Sequence, residues 1–242
     1  MTLRAIVRGL LRKGGYDIFR FNTRNSPVAR RIALFKHFGV DLVLDVGASD
    51  GWYGLELRKT AYTGHIVSFE PMTGPFAKLN RRAHDDGNWE AVNVGLGDRA
   101  GRRDIHVSQN SESSSLLPML PRHAEAYPRS KYIGTESVEI QRLDDILTYY
   151  RGASETTFLK MDVQGYEHHV LEGAKASLCD ITGVQLEMSL VPLYDGELRF
   201  VEKIGYLEDR GFTLMSLQPV IEDPVTGQLL QVDGLFFRAH GA

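Results

Sequence analysis

Residues 42–54 read LVLDVGASDGWYG. Four apolar positions surround one acid, Asp45, and run straight into a loop carrying Gly47 and Gly51. A strand that passes through a glycine loop into a helix is the opening unit of a parallel α/β sheet, which binds ligands beyond the carboxyl ends of its strands. The dinucleotide fingerprint G-x-G-x-x-G is absent; the spacing is D-x-G-x-x-x-G. Gly47 offers backbone angles closed to other residues and lets a ligand approach the main chain. Gly51 falls where the helix begins, so free amides there can meet a carboxylate or phosphate. Asp45 disfavours a phosphate and suits a ligand bearing an amine.

The same texture repeats downstream. Strands are expected at 42–46, 65–69, 91–94, 157–161, 184–188, 212–217 and 235–238, with helical patterns near 52–60, 74–84, 166–178 and 198–210. Their alternation implies a mostly parallel sheet covered on both faces. Between the last two strands lies VIEDPVTGQLLQVDG, too short for a crossover helix and rich in turn residues. The final strand is therefore expected to run antiparallel. Residues 101–140 interrupt the alternation. GRRDIHVS and ESVEIQRL read as strands flanking a Ser- and Pro-rich segment, an insertion or mobile lid of the kind that shapes a binding site.

The chain has 242 residues, which suits one α/β domain with an appendage. With 43% apolar and 24% charged residues it is not globally disordered. A net charge of -3 makes no case for a nucleic-acid partner. The charge is uneven, however. Residues 1–40 carry nine Lys and Arg against one acid, Asp17, which leaves about -11 on the remainder. Residues 1–39 read as a basic helical extension and 40–242 as the main domain. Leu3, Ile6, Val7, Leu10 and Leu11 share a helical face beside arginines, and a second helix is expected over 27–38. Such a helix packs on its own domain or on a second copy in a homo-oligomer, or rests on anionic lipid as a peripheral membrane contact. The lone Cys179 excludes an internal disulfide and a cysteine zinc cluster, and fits a reducing, cytoplasmic compartment. No apolar run approaches ~18 residues. The first residues also lack the uninterrupted apolar stretch of a signal peptide.

The second strand ends in SFEP, placing Glu70 25 residues after Asp45. A carboxylate there can accept hydrogen bonds from both ribose hydroxyls, in NAD or in S-adenosylmethionine (SAM). The loop separates the two. A pyrophosphate needs the missing glycines, whereas the leading acid suits an aminoacyl sulfonium. With no ligand, the same residues would make a tight strand-to-helix turn and Glu70 an ordinary helix-start acid.

The stretches LVLDVGASDG, IVSFEP, VNVGLGDRAG, SSSLLPM, RLDDI, FLKMDVQGYEHHVLEGA, QLEMSLVPLY and GQLLQVDGLFFR run in order across nearly the whole chain after residue 40. Together they resemble the FkbM-type family of SAM-dependent methyltransferases. The resemblance implies a class I methyltransferase, Rossmann-like fold with a seven-stranded sheet whose last strand is antiparallel. One departure from the broad class pattern D-x-G-x-G-x-G is Ser49 at the middle glycine. By motif matching, Asp45, Gly47, Ala48 and Gly51 line the methionine end of SAM. Glu70, followed by Pro71, holds the ribose, and the loop at Gly95, Leu96, Gly97 and Asp98 lies near the adenine. Asp98 reads equally well as a turn residue in DRAG. Ser114 and Ser115 either reach the cofactor or anchor their loop.

Methyl transfer from a sulfonium is an in-line displacement, so the enzyme mainly supplies position. An alcohol acceptor must also lose its proton, to a general base or with help from a metal. In this architecture the fourth and fifth strand ends face the methyl group. They carry Lys160, Asp162 and Gln164 in KMDVQGYE, and Glu187 and Ser189 in QLEMSL. Asp162, Lys160 and Glu187 are the candidate catalytic residues, with Asp162 also a cofactor contact. The two acids could share a divalent ion, act with Lys160 in proton transfer, or be structural. Of His168 and His169, adjacent on a helix, at most one faces the site. Tyr166 and Glu167 sit at the helix start, and Tyr194 is a candidate acceptor-pocket residue. The expected function is O-methylation of a sugar, glycolipid or polyketide-like metabolite. An N-methyltransferase, a non-catalytic adenosine-ligand binder and, more remotely, a nicotinamide oxidoreductase are the rivals.

Overall fold

The computed structural model describes residues 3–153 and 155–238. Two units divide the chain, one up to His37 and one from Phe38 onward. The first holds α1 (Leu3–Lys13) and most of α2 (Pro27–Phe38). Ser26 starts α2 by accepting the Ala29 amide at 3.2 Å, with Pro27 in the first helical position, where its missing N–H costs nothing. Asp17 ties the intervening turn back to α1 through Arg8 and Arg12, each at 2.7 Å.

The second unit begins β1 (Leu42–Val46), α3 (Trp52–Lys59), β2 (His65–Phe69), α4 (Thr73–His84), β3 (Trp89–Val92). It continues β4 (Gly95–Leu96), β5 (Gly101–Ser108), α5 (Pro121–Ala126), β6 (Tyr132–Gln141), α6 (Leu143–Tyr150), β7 (Thr157–Met161) and α7 (Glu167–Gly173). It closes with β8 (Ile181–Ser189), α8 (Phe200–Glu208), β9 (Phe212–Glu222) and β10 (Leu229–Arg238). Seven strands form the main sheet in the order β3-β2-β1-β7-β8-β10-β9. β10 slots between β8 and β9 and is antiparallel to both, whereas the central strands are parallel. This is the class I methyltransferase arrangement. The third strand lies at 89–92 rather than 91–94, the last two are longer than expected, and α6 had no predicted counterpart.

The insertion carries a small sheet of its own. β5 and β6 pair antiparallel, and β4 joins β6 in a three-stranded sheet. The segment between them is tied down at both ends. His106 and Ser115 exchange backbone bonds of 2.9 and 3.1 Å, and the Leu120 and Asp195 amides bond the Leu193 and Pro118 carbonyls, each at 2.9 Å.

One face of the main sheet builds the large core. Leu42, Leu44 and Val46 of β1, Val67 and Phe69 of β2, and Leu159 and Met161 of β7 pack with Leu143 and Leu147 of α6 and Val170 and Leu171 of α7. The opposite face departs from the rule that buried parallel strands read as apolar runs. Ser68, Asp45, Lys160 and Gln185 occupy neighbouring register positions on β2, β1, β7 and β8, and all four are buried.

Candidate active site

That polar row is paired within itself and with its neighbours. The Ser68 hydroxyl donates to Asp45 at 3.1 Å and accepts from the Trp89 indole at 3.0 Å. Lys160 Nζ lies 2.9 Å from the Asp45 carboxylate. Tyr53 donates to Gln185 at 3.0 Å, and Gln185 donates to Asp233 at 3.1 Å. Asp45, expected to meet a ligand's amine, is thus fully buried and committed to Lys160 and Ser68. Burial opposes the Lys160 charge, but Asp45 and then Asp162 outweigh it and hold the ammonium above its ordinary range. That environment favours the charged ammonium.

Above the row, at the carboxyl ends of β1, β2 and β7, opens a cleft of about 560 Å³, counting the solvent in its mouth. That size suits a small-molecule site. Gly47, Ser49, Glu70, Asp162 and Gln164 line its polar side; Pro71, Ile105, Leu116 and Ile140 give apolar walls. Glu70 is 3% exposed and accepts the Ser49 and Met72 amides, each at 2.8 Å. Burial outweighs those two bonds and pushes its carboxyl up to about 7. Ser49 takes a left-handed φ of 48°, so it supplies the backbone shape that a glycine supplies elsewhere in the class. Gly47 has φ 72°, and a Cβ there would collide with the Asp162 carbonyl oxygen. Gly47→Ala is therefore expected to cost at least ~2 kcal/mol, from strain and from prising β1's loop off the end of β7. An unchanged melting temperature would contradict this.

Several motif-matched positions face elsewhere. Ala48 is buried, its amide bonded to the Phe69 carbonyl at 3.1 Å. A Cβ on Gly51 would meet Leu79 at 2.9 Å and the Trp89 ring at 3.2 Å, so the side-chain face of this glycine packs inward, and Gly51 is not among the residues lining the cleft. Gly95 and Leu96 line the cleft, but Gly97 packs against Tyr166 and Ile140 instead. Asp98 is held by α7 and its cap: Tyr166 donates to it at 3.3 Å and His169 Nδ1 lies 3.5 Å away. His169 stacks on Tyr166 at 4.2 Å and His168 meets Tyr206 edge-on at 5.4 Å, so neither lines the cleft. Ser114 lines the cleft, and Ser115 donates to the Gln164 carbonyl at 2.7 Å.

The loop after β7 is organised by two residues. Gln164, at φ 54°, donates through its carboxamide to Asp162 and Glu187, each at 2.8 Å. Its carbonyl end accepts the Tyr194 hydroxyl at 2.7 Å, so buried Tyr194 holds Gln164 rather than lining an acceptor pocket. Glu167 accepts the Val163 and Gly165 amides, each at 3.2 Å, and pairs with Lys203 of α8 at 2.6 Å. Glu187 sits behind Gln164; burial, followed by the nearby Asp162 charge, raises its carboxyl well above the ordinary range. The donor set does not fit a shared divalent ion, because an amide N–H already points at both acids. Among the described residues no group of three or more His, Cys, Asp or Glu could hold a metal. Reading the sequence missed Ser68, Tyr53, Gln185, Lys203 and the cleft walls Ile105, Leu116 and Ile140. For the strand residues a signal existed: a buried-strand run interrupted by a polar residue.

Residues 45–214 match the family model described as the methyltransferase FkbM domain. The chain belongs to this family. Two relatives are the 2-O-methyltransferase NoeI of Sinorhizobium fredii (strain NBRC 101917 / NGR234), 27% identical over 73% of this chain and 74% of that protein, and Methyltransferase 1 of Beauveria bassiana (strain ARSEF 2860), 24% identical with the same coverage. The solved structure of methyltransferase FkbM from Methylobacillus flagellatus KT aligns with TM-score 0.49 and 17% identity over 82% of this chain; this chain spans only 43% of that one. Magnesium protoporphyrin IX methyltransferase (ChlM) from Synechocystis PCC 6803 with bound SAM aligns with TM-score 0.47 and 11% identity, over 99% and 98% of the two chains. This FkbM protein is a SAM-dependent methyltransferase. The cleft fits that cofactor in kind: a buried carboxylate with lone pairs to spare, close main chain at Gly47, and apolar walls for a base. No helix among the described residues is long and apolar enough to cross a membrane.

Proposed function

We propose that this FkbM methyltransferase moves a methyl group from SAM to a hydroxyl of a sugar-bearing acceptor, with Asp162 as general base. One observation carries the reading. Asp162 lines the cleft beside Gly47 and is 38% exposed, with one oxygen bonded by Gln164 and the other 3.8 Å from Lys160, beyond hydrogen-bond reach. Of the other cleft carboxylates, Glu70 is assigned to the ribose, and Glu112 lies across the cleft in the insertion. Lys160 stays charged and Glu187 is held toward its neutral form, so neither competes for the acceptor's proton. Bound SAM supplies a methyl group activated on a sulfonium. Glu70 would accept its ribose hydroxyls, Gly47 and Ser49 would offer main chain at the methionine end, and Pro71, Ile105 and Ile140 would enclose the base.

The relative named as a 2-O-methyltransferase supports oxygen as the acceptor. Labelled SAM should be incubated with panels of sugars, glycolipids and amines, and the products identified by mass spectrometry. An O-methylated glycan is expected; methylation confined to amines would overturn the reading.

The Glu70 assignment carries a pH dependence. Its carboxyl is raised to about 7 in the protein, and hydroxyl donors favour the ionised form. Binding SAM then requires loss of a proton below pH 7 and not above it. The affinity is expected to fall about tenfold between pH 8 and pH 6. Calorimetry at the two values checks this, and Glu70→Gln should flatten the dependence. A flat profile in the parent protein would remove Glu70 from the ribose.

A further inference from the structure

We propose that residues 7–24 form an interfacial anchor for anionic lipid bilayers. Val7, Leu10, Tyr16, Ile18, Phe19 and Phe21 are all exposed, Leu10 by 64% and Tyr16 by 71%. Such a density of bare apolar side chains in one short stretch calls for a cover. Arg12, Lys13, Arg20 and Arg24 lie exposed among them. The lone acid of the first 40 residues, Asp17, is already held between Arg8 and Arg12 at 2.7 Å each. Arg8 also lies 4.7 Å over the Phe19 ring, which draws the aromatic turn against α1. Cations interleaved with Tyr, Phe and Leu match the headgroup boundary of a membrane, where apolar groups enter the acyl region and Lys and Arg meet phosphate.

Charge decides among the candidate covers. A second copy of the head would bury the apolar groups but bring like charges together. A nucleic acid would answer the cations and leave Ile18 and Leu10 bare. An anionic bilayer answers both. The rest of the chain, about -11, is repelled by the same surface, so contact is confined to the head. An acceptor carried on lipid would then be met at the membrane.

The test is co-sedimentation of the full chain with vesicles of phosphatidylcholine alone or mixed with phosphatidylglycerol. The parent should bind the anionic vesicles at least about tenfold more tightly than the neutral ones. Phe19→Ser/Phe21→Ser and Arg20→Gln/Arg24→Gln should each weaken that binding about tenfold. All four side chains are exposed, so melting temperature and SAM binding should stay as in the parent. Equal binding to both vesicles overturns the proposal, as does parent-like binding by the Phe19/Phe21 variant. A lipid-free dimer that this variant abolishes, or binding of an oligonucleotide in place of vesicles, also overturns it.

Discussion

Asp162→Asn is expected to lower turnover about 10³-fold while SAM binding stays within about threefold. The substitution is isosteric. The asparagine oxygen can keep the Gln164 hydrogen bond of 2.8 Å, and Lys160 keeps its partner Asp45 at 2.9 Å, so the cleft's shape survives. What disappears is the Asp162 carboxylate oxygen proposed to take the hydroxyl proton as the methyl group transfers. Rates at saturating SAM and acceptor, read beside calorimetric SAM affinity, separate the two effects. Retention of more than about a tenth of the turnover would deny Asp162 the role of base.

The second large effect is on stability. Lys203 and Glu167 pair at 2.6 Å with side chains 1% and 0% exposed. Lys203→Met strands a carboxylate in the interior, at a cost of about 3–5 kcal/mol. For a chain of this size that is a fall in melting temperature of about 10 °C. Adding Glu167→Gln should recover more than about half of the loss, because the glutamine oxygen can still accept the Val163 and Gly165 amides without a buried charge. Denaturant titration of the three proteins checks the order. A single variant as stable as the parent would show that the pair does not brace the loop after β7.

The central strands were legible because a parallel strand buried on both faces is a short, dense apolar run, and LVLDV, HIVSF and TFLKM leave little choice of boundary. The helix α6 was not, since LDDILTYY is only eight residues long and six of the eight are β-branched, aromatic or acidic, which weakens any helical signal. The site was half legible. Glu70, Gly47, Pro71 and Asp162 line the cleft as motif matching placed them. Asp45, Ala48, Gly51, Gly97 and Asp98 share those motifs but face away from it. A motif reports which residues sit on a loop, and only the register of the strands beneath says which way each one points. Asp45 shows the difference: it falls in the same register row as Ser68 and Lys160, under α3 rather than over the cleft. The walls Ile105 and Ile140 come from the insertion, whose side chains cannot be assigned to a pocket until β5 and β6 are paired.

Trp89 lies against Gly51 and Gly54, with its indole N–H on Ser68. The chain's other tryptophan, Trp52, is 56% exposed beneath the Arg82 guanidinium at 4.7 Å. One indole is therefore buried behind the 47–51 loop, and the other is exposed one residue beyond it. Their fluorescence is expected to separate by colour, blue for the buried ring and red for the exposed one. A ligand that shifts the loop is expected to perturb the buried ring's emission, which would give the protein an optical gauge of its own cleft.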